Sequence, residues 1–215
     1  VLRLSATLLE STRLYQAGVI DADSLIDAVA GVRHETPQMA LGSAFHAVFE
    51  EPDKHLDLYM DAGVYVRGEH VFDAQVVDSS LGDIWGLQPV IEAKAEDLVL
   101  QTDYGPVRIV CQADALAGLE CWELKTTEKP LKPERYMESM QWRAYVLAFG
   151  ANRVTYRLIK LKHLKDADVY TIDDRATISM FPYPQITQDV NAMANELTRF
   201  ININKLEEYR LEEAA

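Results

Sequence analysis

Nowhere in its 215 residues does the chain carry the roughly 18–20 uninterrupted apolar residues that a membrane-spanning helix needs. Its first ten residues, V-L-R-L-S-A-T-L-L-E, lack the basic-then-apolar layout of a signal peptide, and their opening on Val1 rather than Met leaves room for an upstream piece. No membrane association is expected. There are only two cysteines, Cys111 and Cys121, and they form neither a C-x-x-C pair nor a zinc-like cluster. That scarcity excludes a disulfide framework and suits two buried thiols in a reducing cytoplasm, the expected location. Repeats, low-complexity tracts and Gly/Ser linkers are also missing, so residues 1–215 read as a single domain.

What is present is ordinary globular composition, 48% apolar and 26% charged, with an unusual distribution of charge. A formal net charge of −13 argues at first against a nucleic-acid partner, because phosphate binding is driven by Lys and Arg displacing counterions. Residues 125–165, however, hold ten basic side chains against three acidic ones, leaving eleven basic and thirty-one acidic residues elsewhere. A solvated face explains such asymmetry as well as a binding surface does. It gains meaning from where it begins, at Lys125.

Hydrophobic periodicity predicts a helix from Ser5 to about Tyr15 with Ser5 as N-cap, and a second over Asp21 to Ala30. The segment G-S-A-F-H-A-V-F-E at 42–50 is a third, with Ala44, Phe45, Val48 and Phe49 on one face and Gly42, His46 and Glu50 along one edge. Residues 64–90 mix short apolar runs with glycines and resist assignment. Three strands follow, at Val90 to Gln101, Val107 to Leu116 and Cys121 to Thr126, separated by turns at Asp103-Tyr104-Gly105 and Ala117-Gly118. A helix from about Glu134 to Phe149 is predicted next, with Met137, Met140, Ala144, Leu147 and Ala148 as its core stripe and Gly150 as its stop. A strong strand at Arg153 to Lys162, a weaker one at Val169 to Ile172, and a terminal helix from Ile186 to about Glu208 complete the pattern. The fold class is α/β, a mixed central sheet flanked by helices in the order helix, three strands, helix, strand.

The chemistry gathers around C-W-E-L-K-T-T at 121–127. In a strand, Glu123 and Lys125 share one face and Trp122 and Leu124 the other. The plain reading is a half-buried strand with a surface ion pair. The next acid upstream is Asp114, and the tight turn at Ala117-Gly118 brings the two strand ends side by side, so Asp114 and Glu123 can converge where the strands diverge. Two carboxylates at one point suit a hard divalent cation such as Mg²⁺ or Mn²⁺. An adjacent lysine can orient and help deprotonate a water, or offset charge on a phosphate.

This D…E-x-K pattern, with eight residues between Asp114 and Glu123, resembles the core of the PD-(D/E)XK nuclease superfamily and its restriction-endonuclease-like αβββαβ fold. Two further elements, H-x-x-x-E (His46, Glu50) upstream and Q-x-x-x-Y (Gln141, Tyr145) downstream, resemble the RecB-like and phage exonuclease branch. The resemblance spans about residues 42–162, with 1–41 and 183–215 as helical extensions. It implies that Asp114, Glu123 and the Leu124 carbonyl ligate Mg²⁺ or Mn²⁺ with His46 as a further ligand, and that Lys125 is the catalytic lysine. Glu50 would hold a metal-bound water, and Gln141 and Tyr145 would line the site and contact DNA, Tyr145 being available to stack on an exposed base. Cys111 stands where the family pattern has glycine, and Ala113 where it has proline. Some members carry a four-cysteine iron–sulfur cluster, for which two cysteines provide no counterpart.

Each feature alone has a commonplace reading: a structural histidine, a turn aspartate, a helix-surface pair. Together, in family order, they favour a metal-dependent DNA nuclease, an exonuclease of recombination, repair or phage origin, over a catalytically silent nucleic-acid- or partner-binding module on the same fold. Lys129, Lys132, Arg135 and Arg143 are the candidate phosphate contacts. The expected partners are single- or double-stranded DNA ends and, through the acidic remainder, a helicase, recombinase or annealing protein.

Overall fold

The computed structural model describes residues 1–32, 34–57 and 63–209. In chain order the elements are β1 (Leu2–Ser5), α1 (Ala6–Gln16), α2 (Ala22–Ala30), α3 (Pro37–Glu50), α4 (Pro52–His55), β2 (Leu56–Asp57), β3 (Val64–Arg67), β4 (His70–Asp73), α5 (Ala74–Trp85), β5 (Val90–Thr102), β6 (Gly105–Ala117), β7 (Glu120–Thr127), α6 (Glu134–Met137), α7 (Met140–Phe149), β8 (Arg153–Leu164), β9 (Val169–Met180) and α8 (Ile186–Ile203). The predicted α/β class holds: among the described residues a nine-stranded mixed sheet runs β1-β6-β7-β8-β9-β4-β3-β2, with β5 also paired to β6. Among them, no helix is long and apolar enough to cross a membrane.

Local signals in the chain set several boundaries. The Ser5 hydroxyl accepts the Leu8 amide at 3.2 Å to start α1, and the Asp21 carboxylate accepts the Ser24 amide at 2.8 Å to start α2. Thr36 and Pro37 begin α3 upstream of the predicted Gly42, a Thr cap followed by a proline whose missing amide costs the first turn nothing. The strands β5, β6 and β7 and both turns between them lie where alternation places them. The unassigned stretch 64–90 becomes a short hairpin, β3 and β4, followed by α5 with Asp73 as its N-cap. Strand β9 extends to Met180, beyond the predicted Ile172, and α8 ends at Ile203 rather than near Glu208.

The predicted helix 134–149 is broken. Its first turn is the four-residue α6, and α7 restarts at Met140, because two caps compete for the amides there: the Ser139 hydroxyl accepts the Gln141 N–H at 3.1 Å and the Glu10 carboxylate of α1 accepts the Met140 N–H at 2.8 Å. The interruption turns Met137 out of the stripe; it is 57% exposed, whereas Met140 and Ala144 are buried and Leu147 and Ala148 half-buried.

Two apolar layers sandwich the sheet. One packs α1, α2, α7 and α8 against β1, β5, β6 and β8, with Leu9, Ile109, Tyr145 and Leu197 at its centre. The other packs α3 and α5 against β3, β4, β7 and β8; Phe45, Phe49, Leu81 and Leu124 are fully buried there. Burying each such side chain stabilises by roughly 1.5–3 kcal/mol. Phe45 and Phe49 thereby hold the helix that carries His46.

Candidate active site

Strand β6 has two edges, and how they are used creates the site. Strand β5 covers one edge along most of the strand. The other is shared, by β1 over Val107–Val110 and by β7 over Ala115–Ala117, so that residues 111–114 lie in a gap between those two partners. The last β6–β7 pair is Ala115 with Trp122, and the next residues outward, Asp114 and Glu123, stand where the strands part. Helix α7 fills the gap from one side. The Tyr145 hydroxyl donates to the Gln112 carbonyl, an acceptor on the gap edge of β6.

Asp114 and Glu123 each have their own partners. The Leu124 amide donates to Asp114 Oδ2 at 2.6 Å, and His46 Nδ1 lies 3.3 Å from Asp114 Oδ1. Lys125 Nζ donates to Glu123 Oε1 at 2.6 Å, the Gln141 side-chain amide donates to the same oxygen at 2.9 Å, and the Tyr145 hydroxyl lies 3.2 Å from Oε2. Gln141 also donates to the Tyr145 hydroxyl at 2.8 Å. The four-residue spacing of Gln141 and Tyr145 on one helix face thus presents both to a single carboxylate. His46, Asp114, Glu123, Lys125, Gln141 and Tyr145, predicted from four separate elements, form one connected network.

Both faces of β7 are covered. Trp122 and Leu124 enter the α3 and α5 layer, as alternation requires, but the charged face is also inside: Glu123 is 4% exposed. The surface ion pair of the plain reading therefore has a buried carboxylate and a part-exposed ammonium side chain. Burial raises the Glu123 carboxyl above its ordinary range; Lys125 pulls it down and Asp114 pushes it up again, with a net rise. At Asp114 burial pulls the same way, yet the His46 contact, the Lys125 charge and the Leu124 amide outweigh it and its pKa falls. Burial lowers Lys125, but the two carboxylates more than offset that and keep the ammonium protonated. His46 follows the same pattern, its pKa raised on balance by Asp114 against the pull of burial.

Helix α3 approaches β7 closely at Gly42, where an added β-carbon would lie 3.1 Å from Thr126 Oγ1. Gly42, His46, Glu50, Lys125 and Thr126 line one side of a cleft of about 680 Å³, and Glu92 of β5 closes it. Glu92 is a site residue that sequence reasoning misses. It sits between the pairs Ile91–Ala115 and Ala93–Ala113, opposite Asp114, with φ +52. A non-glycine residue in the left-handed region inside a strand is a strained conformation of the kind that concentrates at functional sites. Its carboxylate accepts from the Gln112 side-chain amide. Glu50 faces Glu92, and burial together with that neighbouring negative charge raises its pKa. Nothing in an alternating strand pattern marks Glu92; only its pairing with β6 does.

Three expectations change. Tyr145 is 1% exposed, so its ring lies behind Glu123 and offers no face to a base. Arg143 is engaged by the protein, donating to the Tyr183 hydroxyl at 2.8 Å and to the Glu138 and Ser139 carbonyls, with its guanidinium 4.9 Å from the Trp142 ring centre. Much of the basic segment is likewise neutralised from outside: Arg153 by Glu120, Arg157 by Asp83 and Lys160 by Asp173. Lys129, Lys132 and Arg135 are exposed and make no ion pair with any described residue. Cys111 and Cys121 are buried and free.

The donor types match a hard cation in chemistry: the buried Glu123 carboxylate, the part-buried Asp114 carboxylate with the Leu124 main chain against it, and the His46 imidazole beside Asp114. Among the described residues, however, no three His, Cys, Asp or Glu side chains are gathered at metal-binding spacing. Glu123 is turned onto Lys125, and Asp114 onto His46 and the Leu124 amide.

No family model matches the chain, and no curated protein does. Among solved structures it is similar to SSO0001 (TM-score 0.49, 16% identity, covering 94% of this chain and 77% of that one). It is also similar to an alkaline exonuclease, LHK-Exo, from Laribacter hongkongensis (TM-score 0.45, 13% identity, 94% and 91% covered). A third is a phage related exonuclease from Haemophilus somnus 129PT (TM-score 0.36, 10% identity, 85% and 95% covered).

Proposed function

We propose that this chain is a divalent-metal-dependent DNA nuclease of the PD-(D/E)XK superfamily that digests from ends. The observation that carries the reading is the convergence of Asp114, Glu123, the Leu124 main chain and Lys125 at the point where β6 and β7 part, with His46 set against Asp114. Asp114, Glu123, the Leu124 carbonyl and His46 would hold Mg²⁺ or Mn²⁺; a bound divalent cation supplies Lewis-acid polarisation of a phosphate oxygen and activation of water.

The side chains around it have distinct tasks. Lys125, kept protonated by its two carboxylate neighbours, faces the negative charge that develops on a phosphate under attack. Gln141 fixes the orientation of Glu123 through a hydrogen bond to Oε1, and the Tyr145 hydroxyl, bound to the Gln112 carbonyl, stands 3.2 Å from Oε2. Gly42 seats α3 so that His46 reaches Asp114. Lys129, Lys132 and Arg135, unpaired among the described residues and immediately downstream of the lysine, supply backbone contacts that carry no sequence information.

End-labelled linear, closed circular, single-stranded and double-stranded DNA, each incubated with Mg²⁺, Mn²⁺ or EDTA, tests the proposal. Metal-dependent loss of linear DNA with survival of closed circles is expected. Cutting of closed circles as fast as linear DNA would replace the exonuclease with an endonuclease of the same chemistry. The resting arrangement, in which Glu123 is held by Lys125, favours a second reading, a silent binding module; DNA binding without cleavage under every metal would establish it.

A further inference from the structure

Glu92 stands where the strand pair β5–β6 changes face. Alternation would put Ile91 with Ala95, and Ala113 with Ala115, on one side of the sheet. Instead Ile91 and Ala115 pack into the layer of α3 and α5, whereas Ala95 and Ala113 pack into the layer of α1 and α7. On β5 the alternation breaks at Glu92, whose φ of +52 is left-handed, and on β6 it breaks beside Asp114. The half-buried Glu92 side chain is thereby delivered to the end of the cleft that also holds Glu50. Neither carboxylate makes an ion pair with any described residue: Glu92 accepts from the neutral Gln112 side-chain amide, and its charge adds to burial in raising the Glu50 pKa.

The cleft therefore has a cationic wall and an anionic end. Lys125 and His46 line the side assigned to the phosphate under attack, and the two glutamates close it off. Its volume of about 680 Å³ is in the range that takes one drug-sized molecule, so a strand running on past the closed end would bring its next phosphate against Glu92 and Glu50. Juxtaposed like charges are a means of rejecting a wrong partner. A carboxylate also accepts a hydrogen bond from a hydroxyl, which a strand end offers and an internal phosphodiester does not. We propose that Glu92 is a specificity-determining residue of this cleft, its carboxylate repelling the phosphate of a continuing strand and accepting the free hydroxyl of a strand end. This rests on the nuclease reading and deepens it, by naming the group that makes digestion end-dependent.

The test compares a closed single-stranded DNA circle with the same molecule linearised, both with Mg²⁺ or Mn²⁺, and reads the ratio of the two cleavage rates, in which a general loss of activity cancels. Glu92→Gln should raise the circle-to-linear ratio about tenfold by removing the like charge, and Glu92→Asp, which keeps it, should hold the parent ratio. Glu92→Asn, a residue favoured at positive φ, is the second neutral variant and should raise the ratio as Gln does. Added salt should raise the ratio of the parent by screening the repulsion and leave that of the neutral variants unchanged. Neutral variants that cut linear DNA at the parent ratio overturn the assignment of Glu92 and leave the nuclease reading in place. Neutral variants that melt like the parent yet cut neither DNA make Glu92 a catalytic group and overturn it as well. A parent chain that cuts circles as fast as linear DNA overturns end-dependence together with Glu92, and one that cuts neither under any divalent metal overturns the nuclease reading itself.

Discussion

Lys125→Met removes a charge and keeps most of the side-chain volume, so what it changes is the environment of Glu123. That carboxylate is 4% exposed and already raised by burial, and among the described residues Lys125 is its cationic hydrogen-bond partner. Stranding a buried charge costs on the order of 3–5 kcal/mol. The low end, about 3 kcal/mol, is expected here because Gln141 still donates to Glu123 and because the carboxylate can take up a proton. For a chain of this size that is a drop of roughly 6–12 °C in Tm. The sign with pH follows: the folded-state pKa of Glu123 lies above its unfolded value of about 4.3, so the folded chain binds the extra proton and stability falls as pH rises between the two. The deficit of Lys125→Met should therefore be largest on the alkaline side of neutrality and shrink as the pH is lowered. Glu123→Gln is the control, because Lys125 keeps 30% of its side chain in solvent and loses less; its stability should stay within about 1 kcal/mol of the parent. Thermal melts of the three proteins in EDTA across that pH range decide the matter. If both variants melt with the parent at every pH, the Lys125–Glu123 pair is not the resting state and the electrostatic account of the site fails.

His46→Ala should weaken Mn²⁺ affinity more than Mg²⁺ affinity in calorimetric titration, since imidazole suits a transition metal better; unchanged affinity for both would make His46 a partner of Asp114 and nothing more. Neutralising Lys129, Lys132 and Arg135 together should lower DNA affinity and flatten the salt slope by about 0.7–0.9 for each phosphate that no longer meets a cation, while Arg143→Gln, whose guanidinium is bound within the protein, should leave the slope alone and lower Tm instead. Gly42→Ala should reduce cleavage by pressing α3 away from β7, and the double variant with Thr126→Ala should recover it by removing the atom 3.1 Å from the new methyl; a single variant as active as the parent would show that Thr126 simply rotates aside.

How much of this was legible in the chain depends on the range of the interaction. Strands β5 to β7, the turns between them, the caps Ser5 and Asp21 and the stop at Gly150 come from short-range chemistry, alternation, capping hydroxyls and a positive φ, and each is written in a few neighbouring residues. The acid, acid and lysine set was legible for the same reason, because a single tight hairpin carries Asp114 to Glu123. What the sequence could not disclose is long-range. The Glu10 carboxylate reaches Met140 from 130 residues away and breaks the helix that periodicity runs through Met137. Glu92 becomes part of the cleft only because β5 pairs with β6 in a register that sets it opposite Asp114. Acids on β7 and distant elements, not local pattern, neutralise much of the basic segment, and the charged face of β7 is buried because α7 closes the gap in β6 between β1 and β7. Residue type and spacing thus determined which groups could do chemistry, whereas only the sheet order and the interrupted edge of β6 decided which of them meet, which are buried, and which are left facing solvent.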